Sequence, residues 1–181
     1  MERILIQNGR VIDPASGRDE VCDIYITDGR IQAVASTITE IADRTIDASG
    51  LVVAPGLIDL QVHFREPGRE DRETIETGSQ AALKGGVTTA VAMPNTSPVA
   101  DGQAVVEFVC KRAREVGLIN ILPTGSITTG QAGERLAEMR ELQLAGAVAV
   151  TDDGVDVADA GLLRKALEHH AAFGSVPTAG A

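Results

Sequence analysis

The sequence predicts an α/β fold with two parts. Residues 1–54 form a small β-rich, sandwich-like segment, and residues 55–181 form the first half of a (β/α)8 barrel of the TIM type. Three features predict this class: short strands separated by turn residues at the start, strands alternating with helices from Leu51 onward, and polar residues after each later strand. A complete barrel needs about 250 residues, so this chain accounts for roughly half of one.

The N-terminal segment has the pattern of a small all-β unit. Its strands are separated by Asn8-Gly9, by a loop over residues 13–17 and by Asp28-Gly29. Asp-Gly is a strong hairpin signal because both residues tolerate a positive φ angle. The predicted strands are Ile4–Gln7, Arg10–Ile12, Asp23–Ile26 and Ile31–Ala35.

The remainder of the chain is predicted to contain four successive strand–helix units. Glycines and β-branched residues mark their boundaries, as at Gly85-Gly86, which ends the first helix before a strand rich in valine and threonine. The four units are Leu57–Phe64 with 74–84, Val87–Met93 with a helix from Asp101 or Gly102 to Val116, 118–122 with 134–144, and 147–150 with 158–173, the last helix ending at Gly174.

Regular alternation of this kind fits either a doubly wound sheet or a barrel. The polar residues favour the barrel, because they follow the strands, and barrel enzymes collect their functional groups at the carboxyl ends of the strands. A dinucleotide-binding sheet would place its glycine-rich turn at the start of a helix, whereas Gly85-Gly86 precedes a strand. We therefore expect a site formed by residues that follow the four strands.

Composition excludes several classes of partner. The chain has 181 residues, of which 26 are acidic and 16 basic, giving a net charge of −10. This charge argues against binding to nucleic acid or to an anionic membrane surface. Cys22 and Cys110 lie far apart and form no metal or redox motif, so we expect reduced thiols and a cytoplasmic location.

The most informative segment is the predicted strand that starts at Leu57. Its side chains alternate, so four polar residues share one face and four apolar residues share the other. We expect a central, covered strand with one functional face, because a buried strand rarely carries so many polar groups without a ligand. An edge strand with a solvated polar face is the alternative. The polar face comprises Asp59, Gln61, His63 and Arg65, and the apolar face Ile58, Leu60, Val62 and Phe64.

The motifs along the chain resemble those of the type I dihydroorotases of the amidohydrolase superfamily. The resemblance covers the N-terminal portion of that family and nearly all of this chain. It implies a metal-dependent hydrolase of cyclic amide C–N bonds, in which zinc supports the reversible interconversion of dihydroorotate and N-carbamoyl-aspartate in pyrimidine biosynthesis. The matching segments are Ala54–Gly68, Glu76-Thr77-Gly78, Gly85–Thr89, Met93-Pro94-Asn95-Thr96 and Thr151-Asp152-Asp153-Gly154.

The resemblance also implies roles for individual residues. His63 and Asp153 would be zinc ligands, Asp152 being the less favoured of the acidic pair. Arg65 and Asn95 would bind the substrate carboxylate, which suits a guanidinium and an amide donor. From the residues alone, Asn95 could equally begin a turn, and Asp153 could form one with Gly154.

Gln61 departs from the family pattern, which usually has a histidine metal ligand at this position. An amide oxygen is a poorer zinc ligand than imidazole. Three roles therefore remain open for Gln61: lining the site, binding weakly, or selecting a different metal arrangement.

The resemblance places a later histidine ligand and the catalytic residue beyond Ala181, so no catalytic residue is assigned within this chain. Unpaired strand edges of half a barrel lead us to expect instability, aggregation or a homo-oligomer. Two further functions stay open. One is another cyclic amidohydrolase, such as an allantoinase or hydantoinase, and the other is an inactive pseudo-dihydroorotase that associates with aspartate transcarbamoylase.

Overall fold

A computed structural model describes residues 2–171 of the chain. The chain divides into two compact units, one ending at Pro55 and the other beginning at Gly56. No helix in residues 2–171 combines the length and apolar character needed to cross a membrane.

The first unit is a five-stranded sheet with the order β3-β2-β1-β4, in which β5 also pairs with β1. The β1–β2 and β2–β3 pairs are antiparallel, and β4 and β5 run parallel to β1. Apolar residues from β1 and β2, including Val11, Cys22 and Ile24, form its core. The strands are β1 (Arg3–Asp13), β2 (Arg18–Thr27), β3 (Arg30–Ala35), β4 (Arg44–Asp47) and β5 (Val52–Val53).

The predicted hairpin at Asp28-Gly29 is present. Asp28 has a φ of 52° and Gly29 a φ of 71°, as a two-residue turn with both central residues in the left-handed region requires. The sequence did not predict β4 or β5, which both pair with β1 in the sheet of the first unit. The pairing of these short strands with β1 depends on contacts between distant residues, which local patterns do not encode.

A buried carboxylate anchors this sheet. Asp23 accepts hydrogen bonds from the backbone N–H of Asn8 and of Ile38, each at 2.9 Å. The Asn8 hydrogen bond, helped by that of Ile38, lowers the pKa of Asp23 and outweighs the burial that alone would raise it. Asp23 is therefore ionised in the folded unit and holds the loop containing Ile38 against β2.

The second unit is a parallel sheet with the order β6-β7-β8-β9 and helices between its strands. Parallel strands joined by helices confirm the predicted half barrel of α/β type. The elements are β6 (Leu57–Val62), α1 (Ile75–Lys84), β7 (Val87–Ala92), α2 (Gln103–Val116), β8 (Asn120–Gly125), a 3-10 turn (Thr129–Gln131), α3 (Met139–Ala145), β9 (Ala149–Val150) and α4 (Ala160–Ala171).

Local capping explains where α1 begins and where α2 ends. The hydroxyl of Thr74 accepts a hydrogen bond from the Thr77 N–H at 3.1 Å, and the Thr77 hydroxyl accepts one from the Thr74 N–H in return. This capping box starts α1. Gly117, with a φ of 61°, ends α2 in the left-handed conformation that glycine adopts at low cost.

Several element boundaries differ from the sequence-based expectation; in the first unit, for example, the two predicted strands Ile4–Gln7 and Arg10–Ile12 are the single strand β1. The third helix begins at Met139 rather than Glu134, because the preceding residues form the 3-10 turn and a bridge between Thr128 and Leu136. The third strand is Asn120–Gly125 rather than Leu118–Leu122. The predicted end of the fourth helix at Phe173-Gly174 lies outside the described residues.

The expectation that the first barrel strand is central and covered is wrong for the described residues. There β6 pairs only with β7, and Ile58 and Leu60 on its predicted core face are 64% and 72% exposed. Only the end of the segment packs into the core, where Phe64 is buried. Apolar alternation predicts a face that favours burial, but it does not identify the element that covers it.

A second buried carboxylate connects the loop after β6 to two helices. Glu66 accepts a hydrogen bond from the Ile75 N–H, at the start of α1, at 2.7 Å. Its other oxygen accepts one from the Arg112 guanidinium, on α2, at 3.1 Å. Arg112 also contacts the exposed Glu76 at 3.4 Å. Glu66 thus stabilises the position of the loop that follows His63 and Arg65.

We predict that Asp23→Asn lowers the free energy of unfolding at pH 7 by about 2 kcal/mol, because two hydrogen bonds to a buried anion are impaired. The pKa of Asp23 is lowered in the folded state, so its stabilisation is complete above the unfolded pKa of about 3.9 and is lost as the pH falls through the folded pKa. Urea unfolding as a function of pH should show less acid sensitivity in the variant than in the wild type. Asp19→Asn, which alters an exposed ion pair with Arg10, is the control. Equal acid sensitivity in Asp23→Asn and the wild type would contradict the prediction.

We predict that Glu66→Gln lowers the free energy of unfolding by about 3 kcal/mol, because it removes the charge that Arg112 contacts in a buried setting. Glu76→Gln is a matched control, since it removes one of the two exposed carboxylates, Glu76 and Glu115, that contact the same arginine. The Glu66 side chain is 10% exposed and that of Glu76 is 54% exposed. The control should change the value by less than about 1 kcal/mol in urea titration. Equal effects would show that Glu66 has no special structural role.

Candidate active site at the carboxyl edge of the parallel sheet

Side chains that follow three of the four parallel strands meet at one edge of the sheet. His63 follows β6, Asn95 follows β7 and Asp153 follows β9. The Nδ1 atom of His63 lies 3.1 Å from Oδ1 of Asn95 and 3.6 Å from Oδ2 of Asp153. Gln61, the penultimate residue of β6, donates a hydrogen bond from Nε2 to Oδ1 of Asp153 at 3.1 Å. The structure therefore brings together four of the five residues singled out in the sequence.

The contact between Gln61 and Asp153 requires a strongly curved sheet. Their strands, β6 and β9, form opposite edges of the four-stranded order. In a flat sheet, three strand spacings would separate these edges by about 14 Å, which exceeds the combined reach of a glutamine and an aspartate side chain. The observed contact places the site on the concave side of the sheet, as in the interior of a barrel.

The adjacent acids at the end of β9 have different environments. Asp152 is buried and accepts hydrogen bonds from the backbone N–H groups of Ile127 and Thr128, at 2.8 and 3.0 Å, and from the Thr128 hydroxyl. Its carboxylate fixes the loop after β8. Asp153 has a φ of 38° and directs its carboxylate toward Gln61 and His63 instead. This geometry favours Asp153 as the site residue and gives Asp152 a structural role.

Arg65 occupies the loop after His63 with a φ of 61°. It is half-buried, and within residues 2–171 its guanidinium forms no ion pair. A partly buried cation without a carboxylate partner is suited to binding an anionic ligand.

His63 can offer one ring nitrogen to a metal in this arrangement. Its Nδ1 atom faces oxygens of Asn95 and Asp153, so we assign the ring hydrogen to Nδ1, which leaves the lone pair on Nε2. Metal-binding histidines commonly hold their second nitrogen in this way.

The described residues fit only part of a zinc site. Zinc usually takes four nitrogen, sulfur or carboxylate ligands, and His63 and Asp153 supply one imidazole and one carboxylate. Within residues 2–171, no group of three or more His, Cys, Asp or Glu side chains lies close enough to hold a metal. The amides of Gln61 and Asn95 add weaker oxygen donors.

Sequence reasoning missed two features of the site. The first is the hydrogen bond from Gln61 to Asp153, which joins residues 92 positions apart and leaves no local signal. The second is the support from Glu66, which belongs to the Arg65-Glu66-Pro67-Gly68 motif but received no role there. A glutamate between a strand and a helix start was the available signal, because a carboxylate is favoured near a helix N-terminus.

A curved half barrel with polar residues at the carboxyl ends of its strands is an architecture that this chain shares with solved hydantoinase structures. An L-hydantoinase (dihydropyrimidinase) from Arthrobacter aurescens superposes with a TM-score of 0.82 at 27% identity, over 100% of this chain and 41% of that one. The profile of the family described as Dihydro-orotase-like matches residues 50–180, and the chain belongs to this family.

Individual relatives agree with this assignment. The dihydroorotase of Solibacter usitatus is 50% identical over 165 residues, which cover 91% of this chain and 38% of the relative. The dihydroorotase of Pelobacter propionicus is 51% identical over 167 residues, covering 92% of this chain and 39% of the relative. The chain thus spans about two fifths of the length of these relatives, and it matches their N-terminal part.

We predict that asparagine at position 152 and asparagine at position 153 have different effects on the free energy of unfolding. Asp152→Asn should lower the free energy of unfolding by about 2 to 4 kcal/mol, because a buried anion with three hydrogen-bond donors loses its charge. Asp153→Asn should lower it by less than about 1 kcal/mol, since the Gln61 amide can still donate to the remaining carbonyl oxygen. Urea unfolding at pH 7 measures both values. The opposite ranking would assign the structural role to Asp153.

Proposed function

We propose that the chain carries part of the active site of a dihydroorotase-type cyclic amidohydrolase. The reaction is the reversible, zinc-dependent interconversion of dihydroorotate and N-carbamoyl-aspartate in pyrimidine biosynthesis, in the cytoplasm. The observation that carries the proposal is the convergence of His63, Asn95 and Asp153 at one edge of the sheet, close in sequence to Arg65, which forms no ion pair within residues 2–171. About 50% identity to dihydroorotases supports this substrate class.

In this proposal His63 and Asp153 would hold the zinc ion together with ligands that the described residues do not supply. When bound, zinc acts as a Lewis acid that activates water and polarises a carbonyl. The protein side chains contribute orientation. Asn95 fixes the His63 ring through Nδ1, and the near-complete burial of the Asp153 side chain, which is 6% exposed, keeps its carboxylate in place.

Arg65 and Asn95 are proposed to bind the substrate carboxylate. The Asn95 carbonyl oxygen faces His63, so its amide nitrogen is directed elsewhere and can donate to an anion. A guanidinium adds charge-assisted hydrogen bonds, which are stronger than neutral ones.

Arg65, which has no ion-pair partner among the described residues, favours dihydroorotate over hydantoin, because hydantoin has no carboxylate group. A hydantoinase remains the second candidate, since the solved structure with a TM-score of 0.82 bears that name. A non-catalytic partner of aspartate transcarbamoylase is a third, favoured by glutamine at position 61. A homo-oligomer remains a prediction from the exposed edge strand β6.

We predict that the chain binds dihydroorotate more tightly than hydantoin in calorimetric titrations with zinc present. Arg65→Ala should weaken dihydroorotate binding by about 10- to 100-fold, the cost of losing a charge-assisted contact, and leave hydantoin binding unchanged. Arg72→Ala, an exposed arginine in the same loop, is the matched control. Tighter binding of hydantoin, or an equal loss for both ligands in Arg65→Ala, would contradict the proposed substrate class.

A further inference from the structure

We propose that the Gln61 amide serves as a built-in substitute for a metal cation. Its N–H group donates a hydrogen bond to the Asp153 carboxylate and so stabilises the buried negative charge. A divalent metal has to displace the Gln61 amide in order to bind. The inference rests on the proposed function in one respect, that the metal position lies at His63 and Asp153.

The first support is the environment of Asp153. Its side chain is 6% exposed, and a carboxylate in such a place needs donors or a cation. Gln61 Nε2 contacts Oδ1 at 3.1 Å, and His63 Nδ1 lies 3.6 Å from Oδ2. Oδ1 therefore accepts a hydrogen bond from the protein, and Oδ2 lies near a second nitrogen beyond hydrogen-bond distance, so the anion has polar neighbours without a metal.

The second support is the direction of the Gln61 side chain. A carboxylate accepts hydrogen bonds only, so the group that faces Asp153 has to be the amide nitrogen, and the amide oxygen points away from it. A metal shared by Gln61 and Asp153 would need the amide oxygen in that place. Binding therefore requires breaking the bond and rotating the amide, which a histidine at this position would avoid.

The consequence is a site that is stable without metal and binds metal weakly. Gln61→Glu tests this with nearly the same side-chain shape. It replaces the donor with a carboxylate facing Asp153, so the metal-free chain should unfold at a lower temperature. Zinc should then bind at least tenfold more tightly than to the wild type, because two carboxylates and His63 converge. Gln61→His should also raise zinc affinity at least tenfold.

Gln61→Ala removes the hydrogen bond without adding charge, and it should raise zinc affinity about fivefold, the equivalent of one net hydrogen bond. This variant also keeps the test decisive if Gln61→Glu does not fold. In the double variant Gln61→Glu with Asp153→Asn, donor and acceptor exchange places. Metal-free stability should return, while tight zinc binding should not.

Zinc affinity by calorimetry and the melting temperature with and without zinc are the measurements, and neither depends on turnover. Gln103→Glu is the matched control, because Gln103 donates from Nε2 to Glu107 at 2.7 Å at an exposed position on α2. It should leave zinc affinity unchanged. If all position 61 variants match the wild type in zinc affinity and metal-free stability, the proposal is overturned. Failure of dihydroorotate to bind would instead contradict the proposed function alone.

Discussion

The buried carboxylate of Asp152 connects the end of β9 to the loop that follows β8. It accepts three hydrogen bonds from Ile127 and Thr128, so the chain cannot move at this point without leaving a buried charge unpaired. Because the backbone then turns at Asp153, which has a φ of 38°, the next carboxylate is directed to the opposite side, toward His63. The position of Asp153 in the candidate site depends on its neighbour.

Glu66 also holds a loop of the candidate site in place, the loop that follows β6. It contacts the first residue of α1 and Arg112 of α2, and it lies directly after Arg65. Two buried acids, neither of which contacts the proposed metal position, thus hold the loops that carry the candidate ligands. Supporting groups of this kind commonly determine the precision of a metal or substrate site.

The sequence predicted the half barrel because each strand and helix has its own periodicity and its own turn residues. It also predicted the meeting of His63, Asn95 and Asp153, since parallel strands bring their carboxyl ends to one edge. It could not predict which acid of the pair at 152 and 153 is buried, because both follow the strand and their difference lies in contacts with Ile127 and Thr128. The exposure of β6 and the bond from Gln61 to Asp153 likewise depend on tertiary structure.

The bond between Gln61 and Asp153 also has a consequence for how the second unit folds. It closes a segment of 92 residues, and an encounter between such distant positions has a high entropic cost unless the intervening strands have already paired. Pairing of β6 with β7, and of β7 with β8, spans much shorter separations and can come first. We therefore expect the candidate site to assemble late in folding, so that a chain in which most of the sheet has formed still lacks the contacts that define it.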